Sequence, residues 1–520
     1  MKKIILAMAV LFNCTFLMAQ SEIDALKYVQ TDINGTARYM GMAGAFGALG
    51  GDASAIKDNP AGLGIYRSSE ITGTMNYMMQ NSTSNWNGTI TNSDDPYKTG
   101  FNNLSFVLAS PSWRYENKTT GLVSSNWSFG YNRLKNFNRS VIIKSDQMAS
   151  SITNFMGYFT GDIQYYDLIV TNDYEPYDNE QVPWISVMAY EGGLLKEFVN
   201  ADSSTNHWES LLNPGEKVTP AYTMNEKGYI DEYSIGWAGN FSNMFYLGTT
   251  LNFQKLNYSL SSSYIEVFEG PGDMNLNNDI TSTGSGFNLN IGAILRPTDL
   301  LRFGFALHTP TIYSMLDHYE ATLDYDNGDT YGNLGTPTDG QNYFQIQGPM
   351  QLNVSGAIIV GKKGILSAEY DYRNYTGTRL MSEDGSTQAY NNENERMNFN
   401  LNDGHTLKIG GEYKLSDNFA LRAGYAITTN STKPDAEKIM FENSTRTDTE
   451  YFLHNGTNYM TAGFGYREAS WFIDCAYVHR SLDESFMPYN SNLLATDFAV
   501  TPASVITTTN NVLITFGFKF

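Results

Sequence analysis

Strict alternation of apolar with small or polar residues constrains this chain more than any other feature. In the last nine residues, Val512, Ile514, Phe516, Phe518 and Phe520 alternate with Leu513, Thr515, Gly517 and Lys519, and the chain stops on an aromatic. A period of two makes a strand with two unlike faces. One greasy face and one small or polar face is what a transmembrane β-barrel needs. The edge of a soluble sandwich reads the same way for one strand, so recurrence decides between them.

The pattern recurs. Leu407, Ile409, Gly411, Tyr413 and Leu415 share a face, Ser416-Asp417-Asn418 makes a tight turn, and Phe419, Leu421, Ala423, Tyr425 and Ile427 resume the apolar face. Similar hairpins are read over 460–477, 352–372, 287–307 and 233–253. Long polar connections over 261–284, 310–349, 376–403, 430–456 and 482–509 alternate with the short turns. Short periplasmic turns and long external loops are the mark of an outer-membrane barrel. Strands near 68–78, 102–110 and 126–137 complete the set. The predicted fold class is all-β, an antiparallel transmembrane barrel of about 14 strands.

Composition agrees. Tyr (35), Phe (29) and Gly (46) are abundant, charged residues make up only 17%, and no run beyond the N-terminus is long and apolar enough for a helical span. The net charge of −21 is a poor match to nucleic acid. Lys2 and Lys3, then the apolar run Ile4–Met18 and Ala19, read as a cleaved secretory signal over 1–19; Cys14 lacks the flanking residues of a lipoprotein anchor. Cys475 then remains alone, without a disulfide framework or cysteine metal site.

Two segments fall outside the predicted wall. Residues 20–66 are rich in Gly and Ala, and 138–228 form a long external insertion within the barrel region 67–520. The insertion holds two helix-like apolar stretches: Met148, Ile152, Phe155 and Phe159, then the run from Trp184 through Ile185 and Met188 to Tyr190 after Pro183. A long insertion with its own structure usually has a task.

Three motifs carry a family resemblance. They are the N-terminal Gly41-Met42-Ala43-Gly44-Ala45, Asp52-Ala53-Ser54-Ala55 and Asn59-Pro60-Ala61-Gly62-Leu63 series; Arg296-Pro297-Thr298-Asp299 with Leu301-Arg302-Phe303-Gly304 and Thr309-Pro310; and the Phe-ended last strand. Together they resemble the outer-membrane long-chain fatty-acid transporter family (FadL/TodX type) in its Bacteroidetes-like form, over nearly the whole mature chain. The resemblance implies that 20–66 is a hatch inside the barrel lumen, with Asn59, Pro60 and Ala61 as its motif. It further implies docking of hydrophobic ligands in a groove made by loop helices, passage by the hatch, and sideways exit through a gap in the third strand. Met148, Ile152, Phe155, Phe159, Trp184, Ile185 and Met188 are then the candidate groove residues. The plain alternative is that they pack together as the core of a lid.

Other sites carry less. The glycine-rich stretch is followed by no Lys-Ser or Lys-Thr pair, against a phosphate loop. The six histidines show no paired-ligand spacing, and no serine-histidine pairing for a lipid hydrolase is legible. Asp273, Asn275, Asn277 and Asp279 have calcium-loop spacing, but Asn278 replaces the usual Gly and Gly284 stands where a Glu belongs. Glu369, Asp371, Arg373, Lys408, Glu412, Lys414, Arg422 and Asp474 face the lumen, where paired charges brace wall and hatch.

The expectation is a monomeric integral outer-membrane protein, not an enzyme, with no cofactor or metal. Its work would be passive transport of a hydrophobic small molecule, long-chain fatty acid first, with outer-membrane lipid around it and the barrel-insertion machinery engaging its Phe520 end. The alternatives are a non-transporting scaffold presenting secreted proteins at the surface, or uptake of haem or an aromatic hydrocarbon.

Overall fold

The computed structural model describes residues 21–111, 120–201, 204–337, 340–361, 363–440 and 444–520. The signal segment 1–19 with Cys14 and Gln20, the first residue of the expected hatch, lie outside the described residues. A closed antiparallel barrel of 14 strands dominates. Its first strands are β1 (Glu70–Trp86), β2 (Thr89–Pro111), β3 (Leu122–Asn136), β4 (Val218–Phe241), β5 (Phe245–Phe268) and β6 (Asp273–Leu295). Then come β7 (Leu301–His308), β8 (Gln351–Val360), β9 (Gly364–Arg373), β10 (Gly404–Lys414) and β11 (Phe419–Thr428). The wall ends with β12 (Tyr451–Arg467), β13 (Trp471–Met487) and β14 (Ala503–Lys519). Strand β14 pairs with β1 from Lys519↔Glu70 to Ser504↔Asn85, which closes the cylinder. Phe520 N donates to Ser69 O at 3.0 Å, so even the terminal aromatic is tied in.

Side-chain alternation sets the wall's place in the membrane. On β5, Phe245, Leu247, Leu251 and Phe253 point outward and are exposed, while Tyr246, Gly248, Thr250 and Asn252 face the lumen. From Phe245 to Phe253 this band is about 27 Å along the strand, or roughly 20 Å of height at a tilt of about 40°, which fits within the apolar band of an outer-membrane barrel. Exposed Tyr413, Phe419, Trp471 and Phe518 ring one end and Tyr77, Tyr97, Tyr233 and Tyr425 the other, as interfacial girdles do.

Above the band the polarity inverts. Beyond Gln254, β5 buries Leu256, Tyr258, Leu260, Tyr264 and Phe268 inward and turns Lys255, Asn257, Ser259 and Ser261 outward. The strands therefore continue past the lipid, and the expected loop 261–284 is wrong: β5 and β6 pair up to Val267↔Asp273 around a tight turn. Likewise β1 and β2 run up to a two-residue turn at Asn87-Gly88, whose φ of 51° and 92° fit a type I′ hairpin. The strict sorting of short turns to one end thus fails at two external hairpins. The other long connections also contain strand. β7 resumes as Ile312–Asp326 after Pro310, β8 is preceded by Gly340–Gln347, and β9 resumes as Arg379–Ser382. The cause is the same everywhere: above the membrane, water lies outside and an apolar cap inside, so a lipid-facing pattern ends where the strand does not.

Two helix groups complete the chain. Helices α1 (Glu22–Val29), α2 (Ala37–Met40) and α3 (Ala55–Asp58) precede β1. Helices α4 (Ile152–Thr160), α5 (Tyr165–Leu168) and α6 (Trp184–Glu191), with the hairpin Leu195–Val199/Thr205–Ser210, cap the external end, joined by α7 (Asn391–Asn400). The inserted cap is shorter than 138–228, because Arg139–Lys144 still pairs with β4 and β4 itself begins at Val218.

Candidate functional site

Residues 36–66 thread the lumen and touch the wall on many sides. Ala37 N donates to Thr515 Oγ1 at 2.7 Å, Gly47 N to Glu369 Oε2 at 2.6 Å, and Asn126 Nδ2 to the carbonyls of Leu63 and Tyr66 at 2.9 and 3.0 Å. Asn59 is the keystone of this segment. Its Nδ2 donates to Gly47 O at 2.7 Å and Ala293 O at 3.2 Å, and its Oδ1 accepts from Ala61 N at 3.1 Å. It thereby caps the tight 3₁₀ turn Pro60–Ile65, in which Pro60 supplies no N–H that would need a partner. Glycines make the close approach possible. A Cβ on Gly304 of β7 would lie 2.5 Å from Gly47 O, and one on Gly50 would lie 2.5 Å from Gly62 Cα.

Charges fix the same segment to the wall. Arg38 binds Glu412 at 2.9 Å; Arg422 binds Glu412 and Asp474, each at 2.6 Å; Lys408 binds Glu369 and Asp371, each at 2.7 Å. Among the lumen-facing charges read from the sequence, Lys414 alone is exposed, at the membrane-side end of β10. The others form the bracing network expected of them, apart from Arg373, which donates to Gln351 Oε1 at 3.1 Å and to Thr31 O at 3.4 Å.

A cavity of about 320 Å³ lies between this segment and the wall. Helix α1 and residues 30–34 form one side; Leu134, Phe137 and Leu260 give apolar surface, and Lys135, Arg139 and Glu226 give charge. Helix α1 is held at four points. Lys27 binds Glu226 at 2.9 Å, Asp24 meets Arg446 at 3.4 Å, Tyr28 OH pairs with Ser282 Oγ at 2.7 Å, and Glu22 meets Arg396 at 3.4 Å. Burial raises the Glu22 carboxyl above the usual carboxylate range against the pull of Arg396. Burial, reinforced by the Glu22 charge, pushes Glu393 on α7 up to about 7. Asp24 is held low by Arg446 and Lys438, although burial opposes it. Sequence reasoning missed α1, although Ser21 and Asp24 form a legible capping box in which each side chain bonds the other's backbone.

The wall beside this cavity is incomplete. Strands β2 and β3 pair only from Pro111↔Ser124 to Asn103↔Asn132. Further out, β3 swings away, breaks at Phe137-Asn138 and continues as Arg139–Lys144 against β4. That continuation tucks under the first hairpin, where Ser84 Oγ donates to Ile142 O at 2.8 Å and Ser93 Oγ to Ser140 O at 3.1 Å. Gly100 and Asn102 on β2 and Arg133 to Asn136 on β3 line the cavity across this unpaired stretch.

The candidate groove residues are placed in the cap's own core. Ile152, Ile185 and Met188 are fully buried, Phe155, Trp184 and Met148 nearly so, and Phe159 packs partly buried beside them. Phe155 stacks on Phe159, and Trp184 meets Tyr177 edge-on. None of the seven lines the described cavity. Met148 departs from the expected helix: Ser151 caps α4 with Asn154, so the helix starts at Ile152 and Met148 bridges to Val218 instead. Asp273, Asn275, Asn277 and Asp279 sit on one outward face of β6, spread along an extended strand rather than curled round a point.

The family model described as "Outer membrane protein transport protein (OMPP1/FadL/TodX)" matches residues 231–496, just over half of the chain. No curated protein matches. Among solved structures, a Pseudomonas aeruginosa FadL homologue is 13% identical, covering 94% of this chain and 99% of its own, with a TM-score of 0.50. The Pseudomonas putida toluene transporter TodX is 11% identical with the same coverage and TM-score. A deltaS2 mutant of the TodX monoaromatic hydrocarbon channel reaches a TM-score of 0.52 at 12% identity, covering 94% of this chain and 100% of its own. At these identities the likeness is one of fold. With a closed 14-strand barrel around an N-terminal segment, and a family match across its second half, the chain belongs to the OMPP1/FadL/TodX family of outer-membrane transport proteins.

Proposed function

We propose that this protein moves amphiphilic hydrophobic small molecules, long-chain fatty acids first, passively across the outer membrane. The carrying observation is the cavity at the unpaired β2–β3 stretch, whose lining mixes apolar side chains with cationic and anionic ones. A fatty acid combines an apolar tail, whose burial stabilises by about 25 cal/mol per Å², with a carboxylate that a lysine or arginine can meet. The cavity volume falls within the roughly 300–1,000 Å³ range of small-molecule sites. In this reading the cap, through α4 and α6, receives the ligand, and its apolar side chains must part to let it in. The hatch motif Asn59-Pro60-Ala61 yields next, and the ligand leaves sideways between β2 and β3. A neutral aromatic hydrocarbon, the cargo named for the toluene transporter of like fold, is the competing ligand. A scaffold role is favoured by one observation, the dense ion pairing that fastens the lumen segment to the wall.

The test is uptake of labelled oleate, and separately of labelled toluene, by a host lacking its own such barrel. The intact chain is compared with an Asn59→Ala, Pro60→Ala variant. Oleate uptake by the intact chain and its loss in the folded variant is the expected result. Toluene uptake alone would replace the ligand, and a folded, surface-exposed barrel that moves neither would leave the scaffold.

A further inference from the structure

One wall of the cavity carries a row of polar side chains fixed end to end. Glu232 on β4 faces Gln254 on β5, and Gln254 faces Gly286 on β6. Beyond Gly286 lies Tyr313, on the resumed stretch of β7. Glu232, Gln254 and Tyr313 all border the cavity. Gly286 makes room for the row: a Cβ there would lie 2.7 Å from Tyr313 Cδ1, so its absence lets the ring lie across β6. The Tyr313 hydroxyl then donates to Gln254 Oε1, and Gln254 Nε2 donates to Glu232 Oε2 at 2.9 Å. Both ends of the Gln254 amide are used, so it holds the carboxylate in one orientation.

The last acceptor of the row is incomplete. Glu232 is 4% exposed, makes no ion pair among the described residues, and has no hydrogen-bond partner on its Oε1. The charges that act on it are Lys57 and Asp58, and those two bind each other at 2.8 Å. A buried carboxylate oxygen without a donor is costly, and a fixed one at a cavity's edge is completed by what enters the cavity.

We infer that Glu232 selects acyl lipids bearing a hydroxyl, which donates to its Oε1. The inference rests on the transport reading above and names a finer substrate class. A hydroxyl suits this wall where a free carboxylate does not, because carboxylate would meet carboxylate with Lys57 already taken. The carboxylate of a fatty acid belongs instead near Lys135, which also borders the cavity and whose Nζ donates to the Lys27 carbonyl at 2.8 Å. A site built to bond a hydroxyl discriminates strongly against the analogue lacking it, since the buried acceptor is then left bare.

Two probes test this. Ricinoleate is oleate with one added hydroxyl, and monooleoylglycerol replaces the carboxylate by a glycerol ester with two. Equilibrium binding of each tritiated lipid, and of tritiated oleate, is measured on the folded full chain in detergent. Comparing affinity ratios between parent and variant cancels partition into the micelle. In the parent at least one hydroxylated lipid should bind roughly tenfold more tightly than oleate. Glu232→Leu should bring both down to the level of oleate. Tyr313→Phe frees the Gln254 amide but keeps the carboxylate, and should lose part of the preference; it serves if Glu232→Leu does not run as a folded barrel on heat-modifiable gels. No preference in the parent, or one that survives in folded Glu232→Leu, would overturn the selection. So would oleylamine binding more tightly than either hydroxylated lipid, since the site would then take a cation. Preferred binding by a barrel that takes up neither a hydroxylated lipid nor oleate leaves the selection standing and removes the transport reading. Oleate uptake without any preference does the reverse.

Discussion

Gly248 offers the sharpest test of how tightly the lumen segment presses on the wall. Its Cα faces inward on β5, and a Cβ there would lie 2.6 Å from Ala61 N and closer still to the Pro60 carbonyl. Carbon contacts relax to about 3.5–4 Å, so Gly248→Ala demands a retreat of roughly 1 Å. The atoms in the way are backbone, held by Asn59 through Ala61 N at 3.1 Å and Gly47 O at 2.7 Å, and cannot swing aside as a long side chain would. Overpacking of this kind costs about 1–3 kcal/mol. At about 1.4 kcal/mol per decade, the local opening equilibrium rises roughly 5- to 150-fold. Gly356→Ala on β8 is the control, because a Cβ there meets nothing within 4 Å. That change should be neutral, or stabilising by about 0.4–1 kcal/mol through the unfolded chain. Hydrogen exchange reads the difference at two amides: Asn59 N, bonded to Ala55 O at 2.9 Å, and Gly62 N, bonded to Asn59 O at 3.0 Å. Both should exchange faster in Gly248→Ala and remain protected in Gly356→Ala. Equal protection in the two variants would refute a lumen segment packed hard against β5.

Three further expectations bear on charge, cap and pH. Arg422→Ala takes a guanidinium 2.6 Å away from each of two buried carboxylates, leaving Glu412 to Arg38 at 2.9 Å and Asp474 to Arg467 at 3.4 Å. The remaining partners hold the cost below the roughly 3–5 kcal/mol of an uncompensated buried charge, seen as a lower barrel melting temperature on heat-modifiable gels; an unchanged melt would mean that the network carries little. Ile152→Ala empties a fully buried site on α4 at a cost of about 2–5 kcal/mol. The loss should stay in the cap, so Trp184 and Trp208 emission should red-shift at temperatures where the barrel still runs folded; a single joint transition would contradict this. Glu22 and Glu393 meet where α1 nears α7, and both carboxyls are raised, Glu393 to about 7. A raised carboxyl stabilises the docked state fully below its unfolded value and loses that contribution as pH rises through about 7. Protease nicking near α1 should therefore grow between pH 5 and 8, and Glu393→Gln should flatten the change.

What the sequence discloses and what it hides divide at one physical line, the outer edge of the lipid. Below it, Phe245 to Phe253 on β5 and Val512 to Phe520 at the C-terminus show their solvent, because lipid selects apolar side chains on the outer face, and the alternation reads directly as strand. Above it the strand of β5 continues through Leu256, Tyr258 and Leu260, but the apolar side now faces a cap, so the phase of the pattern flips and a loop is read in its place. The cap helices are legible because a helix buries its own period, although Ser151 rather than Met148 decides where α4 begins. The turn at Asn59-Pro60-Ala61 is legible because these residues act on each other within a few positions. The gap between β2 and β3 is not, since nothing in the local pattern of Asn102 or Arg133 announces a missing neighbour. Nor are the contacts around it, because Asn34 lies 68 residues from Asn102 and 99 from Arg133, and Asp32 lies 448 from Arg480. These long separations follow from the architecture. Each strand of a closed barrel spends its backbone hydrogen bonds on its two neighbours, so where β2 and β3 part, the lumen segment meets the freed edge of β3. Among the described residues, the segment that reaches this edge is the one that precedes the first strand.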